Sequence, residues 1–221
     1  MADPTAQEIL MWDLINRARL DPAGEAARDG IALNEGPVRD FNGNIVTLTA
    51  DSKQPLAWNS ALTTVADQHS QDMLNNLPGK TWLTGLYHDP QATHETNLRN
   101  AGYTFGWWGE NVSESLPLGG QFDATQGIYQ QAKDLFVDSY SGTRGHRLNI
   151  LDDNFQQVGV GEVTGTYQGE TRSLITEDFG RPSTGGQFLT GIAYNDKNGD
   201  GAYSVGEGQA ASQSQQRPAL P

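Results

Sequence analysis

Residues 145–163 read Gly-His-Arg-Leu-Asn-Ile-Leu-Asp-Asp-Asn-Phe-Gln-Gln-Val-Gly-Val-Gly-Glu-Val, and the chain changes character within them. Upstream, apolar residues recur at helical spacing. Downstream, Val158 to Val163, Ser173 to Thr176 and Phe188 to Tyr194 are short β-prone runs between turn residues, the pattern of strands. Helices first and strands later predict an α+β fold, with helices layered against a mixed or antiparallel sheet.

Toward the N-terminus, Thr5 and Glu8 have capping-box spacing and precede an apolar stripe of Ile9, Leu10, Trp12, Leu14, Ile15 and Ala18, which predicts a helix over 5–20. Asp21-Pro22 ends it, and Pro22 opens a short helix toward Gly30. Residues 31–56 are irregular, with turns at Gly36-Pro37, Asn42-Gly43-Asn44 and Lys53-Gln54-Pro55. A third helix begins at Asn59 or Ser60, carries Leu62, Val65, Ala66, His69 and Met73 on one face, and closes at Pro78-Gly79. A short helix over 93–101 ends at Gly102, and a longer one spans 124–140. Composition shifts at Arg181-Pro182-Ser183, which divides the chain into a main domain (1–182), an appended segment (183–208) and a tail (209–221) whose Gln, Ser and Ala content predicts disorder.

The 221 residues suit one main domain with a small appendage. Lys and Arg number 14 against 27 Asp and Glu, a net charge of −13, which excludes a nucleic-acid partner on electrostatic grounds. A divalent cation fits this balance better, and acidity serves solubility equally well. With no cysteine, disulfides, thiolate zinc sites and cysteine nucleophiles are excluded. No apolar run reaches 18 residues, so no transmembrane helix is expected. Asp3, Glu8, Asp13, Arg17 and Arg19 interrupt the first twenty residues, which do not form a signal peptide. Either a signal was removed, or export uses another one, or the protein stays inside.

Gly109-Glu110-Asn111-Val112, Gly145-His146-Arg147 with Asn149-Ile150-Leu151, and Val158-Gly159-Val160-Gly161 occur in that order. Leu56-Ala57-Trp58-Asn59, the run Asn16 to Arg19, and Ala66, His69, Ser70, Asp72 and Met73 lie upstream. Together they resemble the CAP superfamily (cysteine-rich secretory, antigen 5, pathogenesis-related 1) in its bacterial SCP-like extracellular form, over about residues 6–181. The resemblance implies an α-β-α sandwich with a cleft that collects two histidines and two acids. By position these are His88, Glu110, Asp134 and His146; Asp134 stands where the family has Glu, and Phe136 where it has Trp. Two neutral imidazoles suit Zn²⁺ or another borderline metal, and nearby carboxylates ligate, orient or act as general base. No HExxH or GxSxG spacing occurs, so turnover does not follow. The same residues have ordinary uses: Glu110 pinning its loop, His146 capping a helix, His88 in a loop, Asp134 as a solvated helix carboxylate. His69, on an apolar helix face, reads as a satisfied core histidine, and His94 as a surface residue at a helix start. Trp107-Trp108 either line a ligand surface or divide between core and solvent.

Residues 196–207 read Asp-Lys-Asn-Gly-Asp-Gly-Ala-Tyr-Ser-Val-Gly-Glu and match D-x-[DN]-x-[DN]-G-x₅-E. Asp196, Asn198 and Asp200 take positions 1, 3 and 5, Ala202 offers its carbonyl at 7, Ser204 stands at 9, and Glu207 is the bidentate ligand at 12. Hard oxygen donors at this spacing predict one Ca²⁺. A strand before the loop instead of a helix marks a structural EF-hand-like site, the start of a β-rich appendage. Extracellular sites of this kind bind at about 10⁻⁴ to 10⁻³ M, which suits a protein outside the cell and a chain cut from a longer secreted polypeptide.

Three functions compete. The first, and the favoured one, is a secreted module, expected to be a monomer, whose cleft holds a divalent metal, small ligand, lipid or peptide. The second is a metal-assisted, peptidase-like hydrolase using the same cleft. The third is a structural domain of a calcium-dependent adhesin or surface protein.

Overall fold

The computed structural model describes residues 3–40, 42–76, 86–116, 122–167 and 169–208. The expected helix closure at Pro78-Gly79 and the expected disordered tail lie outside them. Helix α1 (Ala6–Leu20) has the capping box: Glu8 N–H donates to Thr5 Oγ1 at 3.2 Å, and Thr5 N–H donates to Glu8 Oε2 at 2.7 Å. Asp21 ends α1 and caps α2 (Pro22–Asp29) by accepting from Gly24 N–H, and Gly30 closes α2 in the left-handed region. Helix α3 (Ser60–Asn76), α4 (Gln91–Asn100) and α5 (Ala124–Val137) follow the sequence expectation, with α4 starting two residues earlier and α5 stopping three earlier.

Strands β1 (Ala57–Trp58), β2 (Phe105–Ser115), β3 (Gln157–Tyr167) and β4 (Glu170–Pro182) form one sheet in the order β1-β3-β4-β2. β1 runs parallel to β3; β4 is antiparallel to both β3 and β2. Helix α3 packs on β3 and β4, with α4 beside it; α1, α5 and the short α6 (Gly145–Leu151) pack on the other side. The result is an α-β-α sandwich in the α+β class, as the sequence implies. Two elements differ from expectation. The surroundings of Trp107, Trp108 and Glu110, read as a loop, belong to a full strand, Phe105–Ser115. The stretch from Phe188 to Tyr194, read as a strand, forms none; Phe188 and Tyr194 make only isolated bridges, that of Tyr194 to Gly208.

The Val-Gly-Val-Gly run explains how the layers meet. Val158 and Val160 are fully buried in the main core with Leu10, Trp12, Leu56 and Phe179. Gly159 and Gly161 face α3, where an added Cβ would stand 2.1 Å from the backbone nitrogens of Thr63 and Asp67. Only glycine permits that approach. Ser70 on α3 donates to Gly161 O at 2.8 Å and so fixes the helix over the strand.

Two buried arginines serve the other layer. Arg147 donates to Phe136 O at 2.6 Å and Val137 O at 2.5 Å, satisfying carbonyls that the end of α5 leaves free. Arg19 donates from Nη1 to Ile150 O at 2.7 Å and Asp152 O at 3.0 Å. Residues 192–205 rest on the same layer: Tyr203 is buried in the main core, with Ile192, Tyr194 and Val205 packed against it.

Candidate functional site

The geometry of the site begins with strand register. Glu110 on β2 is directly opposite Asp178 on β4, and Asn111 is directly opposite Glu177. Opposed residues share a face and successive residues alternate, so one acid pair faces α3 and α4 while the Asn–Glu pair faces α1, α5 and α6.

On the α3–α4 face Glu110 is the centre. Its Oε1 accepts from His88 Nδ1 at 2.6 Å; a carboxylate only accepts, so Nδ1 carries the proton. His69 Nδ1 lies 3.0 Å from Oε2 and 3.4 Å from Thr176 Oγ1. The ring is out of line with the carboxylate, so the first contact is a charge contact and Oε2 has no aligned donor. His94 places Nδ1 3.4 Å from Glu110 Oε2 and Nε2 3.5 Å from Asp178 Oδ1. All but His88 are buried; the His88 side chain is 52% exposed. Trp108 covers His94 with ring centroids 4.4 Å apart, and Tyr87 meets His69 edge-on at 5.1 Å.

Burial works to raise the Glu110 carboxyl, but the close His69 imidazole and the His88 hydrogen bond, with the charge of His94 beside them, outweigh it and hold it at about 2. Asp178 is pushed well up by burial, and further by the charges of Glu110 and Asp89. Burial lowers His94 despite the attraction of Glu110 and Asp89. For His69 burial also lowers, yet Glu110 prevails and the net direction is up. His94, Glu110 and Asp178 each offer a ligand atom within 4.8 Å of the others, so this group can bind a metal.

The sequence-derived set is partly brought together. His88 and Glu110 are bonded, and His146 approaches His88 with ring centroids 6.3 Å apart. Asp134 does not join them: its carboxylate accepts from Gln130 Nε2 at 2.8 Å on the outer side of α5. The acid at His146 is Asp138, one helical turn further. It ends α5 in the left-handed region (φ 50°), which turns its carboxylate back to accept from His146 N–H at 2.9 Å and His146 Nδ1 at 3.0 Å. His94 is also corrected. Expected at the surface, it is 1% exposed, because the first turn of the polar α4 lies beneath Trp108. His69 is buried as expected, but against Glu110.

Beside this cluster a pocket of about 530 Å³ opens to solvent, lined by Phe105, Trp107, Trp108, His88, Glu95 and Glu110 among others. Trp107 is 39% exposed and Trp108 half-buried. Arg99 pairs with Glu95 at 3.0 Å and stacks over Phe105 at 4.9 Å, fixing the rim.

A three-layer domain with an imidazole–carboxylate cleft beside an aromatic pocket is the class that fold and site define. Within that class the chain belongs to the CAP (cysteine-rich secretory protein) family, whose profile matches residues 12–179. No curated protein sequence matches. Similar solved structures include venom allergen-like protein 4 of Schistosoma mansoni (13% identity, 80% of this chain and 90% of that one, TM-score 0.45). Others are BmVAL-1 (14%, 85% and 81%, TM-score 0.47) and an outer surface protein of Borrelia burgdorferi (11%, 59% and 80%, TM-score 0.38). Among the described residues no helix is long and apolar enough to cross a membrane.

Proposed function

We propose that the chain is a secreted CAP-type interaction module that takes a small organic ligand or a short peptide segment in the aromatic pocket. His88 is the polar contact at the inner end. The observation that carries this reading is the meeting of Trp107, Trp108 and Phe105 with a solvent-reaching imidazole around about 530 Å³, within the size range of small-molecule sites. His88 and His146 each spend Nδ1 on a buried carboxylate, Glu110 and Asp138. That leaves Nε2 of both rings for a divalent ion or a ligand bridging them, the arrangement in which carboxylates orient metal-binding histidines. Asp138 takes the role that sequence position assigns to Asp134.

The test is ligand-observed NMR with a fragment library. Trp107→Ala and His88→Ala abolish the hits, and Leu189→Ala, at an exposed position elsewhere, keeps them. Hits indifferent to Trp107 and His88 contradict the reading, and zinc-dependent cleavage of a casein substrate lost in His146→Ala favours a hydrolase instead.

A second reading concerns the 183–208 segment, which we take as an appended calcium-binding unit outside the 1–182 domain. Asn198 Nδ2 lies 3.0 Å from Asp200 Oδ2 and 3.3 Å from Ser204 Oγ. Glu207 accepts from Lys197 N–H at 2.9 Å and Ser204 N–H at 3.0 Å, drawing both ends of the loop together. This supports Ca²⁺ held by Asp196, Asn198, Asp200, Ala202 O, Ser204 and Glu207. Millimolar Ca²⁺ on a site of about 10⁻⁴ M adds about 1.4 kcal/mol. Thermal unfolding with and without Ca²⁺ checks it: the increment is present in the unsubstituted chain and absent in Glu207→Ala.

A further inference from the structure

We infer that His94, Glu110 and Asp178 form an internal site for one borderline divalent metal such as Zn²⁺, behind the ligand pocket and separable from the His88–His146 cleft. The site is assembled from three elements: α4 supplies His94, β2 Glu110, and β4 Asp178 directly opposite Glu110 in register. Three atoms no more than 4.8 Å apart place a central cation at most about 2.8 Å from each, and small side-chain rotations close this to metal–ligand lengths of about 2.0–2.2 Å.

What these atoms lack points to the ion. Both nitrogens of His94, both oxygens of Asp178 and Oε2 of Glu110 are buried without a hydrogen-bond partner. Buried polar atoms are normally paired, and a cluster of orphans converging on one point marks a missing ligand. Protons alone do not resolve it. A proton on Asp178 pairs at most Oδ1 with His94 Nε2, 3.5 Å away, and leaves Asp178 Oδ2 and Glu110 Oε2 open. A divalent cation resolves it in one step, because two carboxylates and a neutral imidazole carry the compensating charge of −2 and supply lone pairs. The mixed nitrogen and oxygen donors favour Zn²⁺ or its first-row neighbours over Ca²⁺ or Mg²⁺.

His69 is a positioning residue here. Its Nδ1 lies 3.0 Å from Glu110 Oε2 and holds that carboxylate in place. Trp108 over His94 and Tyr87 against His69 give the site an aromatic cover. Of the three residues only Glu110 also lines the pocket, beside His88 and Trp108, so the site lies just behind the pocket wall.

The test uses the full chain, stripped with a chelator and titrated with Zn²⁺ against a chromophoric competitor, with circular dichroism to check folding. The double variant His88→Gln/His146→Gln retains one Zn²⁺ with affinity within about threefold of the unsubstituted chain. His94→Gln and Asp178→Asn each weaken that ion by at least about tenfold. Zn²⁺ bound unchanged in His94→Gln and Asp178→Asn, lost entirely in the double variant, or not bound by the unsubstituted chain at micromolar concentration overturns the site. If His94→Gln does not fold, Asp178→Asn and a zinc anomalous map of the unsubstituted chain decide. A peak bonded to His94 and Asp178 supports the site, and zinc elsewhere or nowhere refutes it. Trp107→Ala, which empties the ligand pocket, leaves the zinc titration unchanged, so the two readings fail independently.

Discussion

Glu177 and Asp178 are neighbours on one strand and both fully buried, yet they meet opposite surroundings. On the α1 side, Glu177 accepts from Asn111 Nδ2 at 2.9 Å, Asn111 also donates to His146 O at 3.3 Å, and Asn149 donates to Asn111 Oδ1 at 2.9 Å and Glu110 O at 3.2 Å. Burial lifts the Glu177 carboxyl to about 7, with the Asn111 amide working against it. One orphan oxygen remains there, Glu177 Oε1, beside a void of about 10 Å³ that suits a single water. On the α3 side, Asp178 faces Glu110 and His94 with five orphan atoms among the three residues. A nearly closed polar network fixes the geometry of a fold, whereas an open one is a place for something else to bind.

The largest effect expected is at the spacing of the open side. Gly159→Ala drives a Cβ into the α3 backbone and costs about 3 kcal/mol in urea unfolding. A loss under about 1 kcal/mol would mean that α3 is not held this close. On the closed side, Asn111→Ala leaves buried Glu177 without its donor and costs about 2–3 kcal/mol, while zinc binding stays as it was. Asp178→Asn is the contrast: with no metal present neither Asp178 oxygen has a hydrogen bond to lose, and stability changes by less than about 1 kcal/mol in either direction. Equal losses from Asn111→Ala and Asp178→Asn would erase the distinction between the faces.

The smallest effect is a pH slope. Asp67, on the α3 side, is raised to about 7 by burial, then by the charge and hydrogen bond of Glu8. Its folded value exceeds the ordinary value of about 3.9, so its contribution is fully present below about pH 4 and is lost as pH rises toward 7. Asp67→Asn flattens the fall in thermal midpoint across that window.

Much of this was legible in the sequence. Thr5, Glu8, Asp21, Pro22 and Gly30 mark α1 and α2 because caps and prolines act locally. The Val158–Gly161 alternation marks β3 because its two faces differ in size as well as polarity. Strand β2 was hidden: Phe105–Ser115 carries Glu110, Ser113 and Ser115 at buried positions, so no apolar alternation appears. His88, Glu110 and His146 followed from motif order. Asp138 could have been found only from its backbone turn, which no propensity demands of aspartate. His94 and Asp178 lay in a polar helix and an Asp-Phe-Gly strand end, and their meeting depends on strand register, a long-range property.

The central claim is that three imidazoles from separate elements answer to one carboxylate. The chain has four histidines, so their ring nitrogens can be followed individually by nitrogen-15 NMR. In Glu110→Gln at neutral pH, the ring resonances of His69, His88 and His94 all move, while His146, held by Asp138, stays in place. Movement of His88 alone, or of none, would contradict the account.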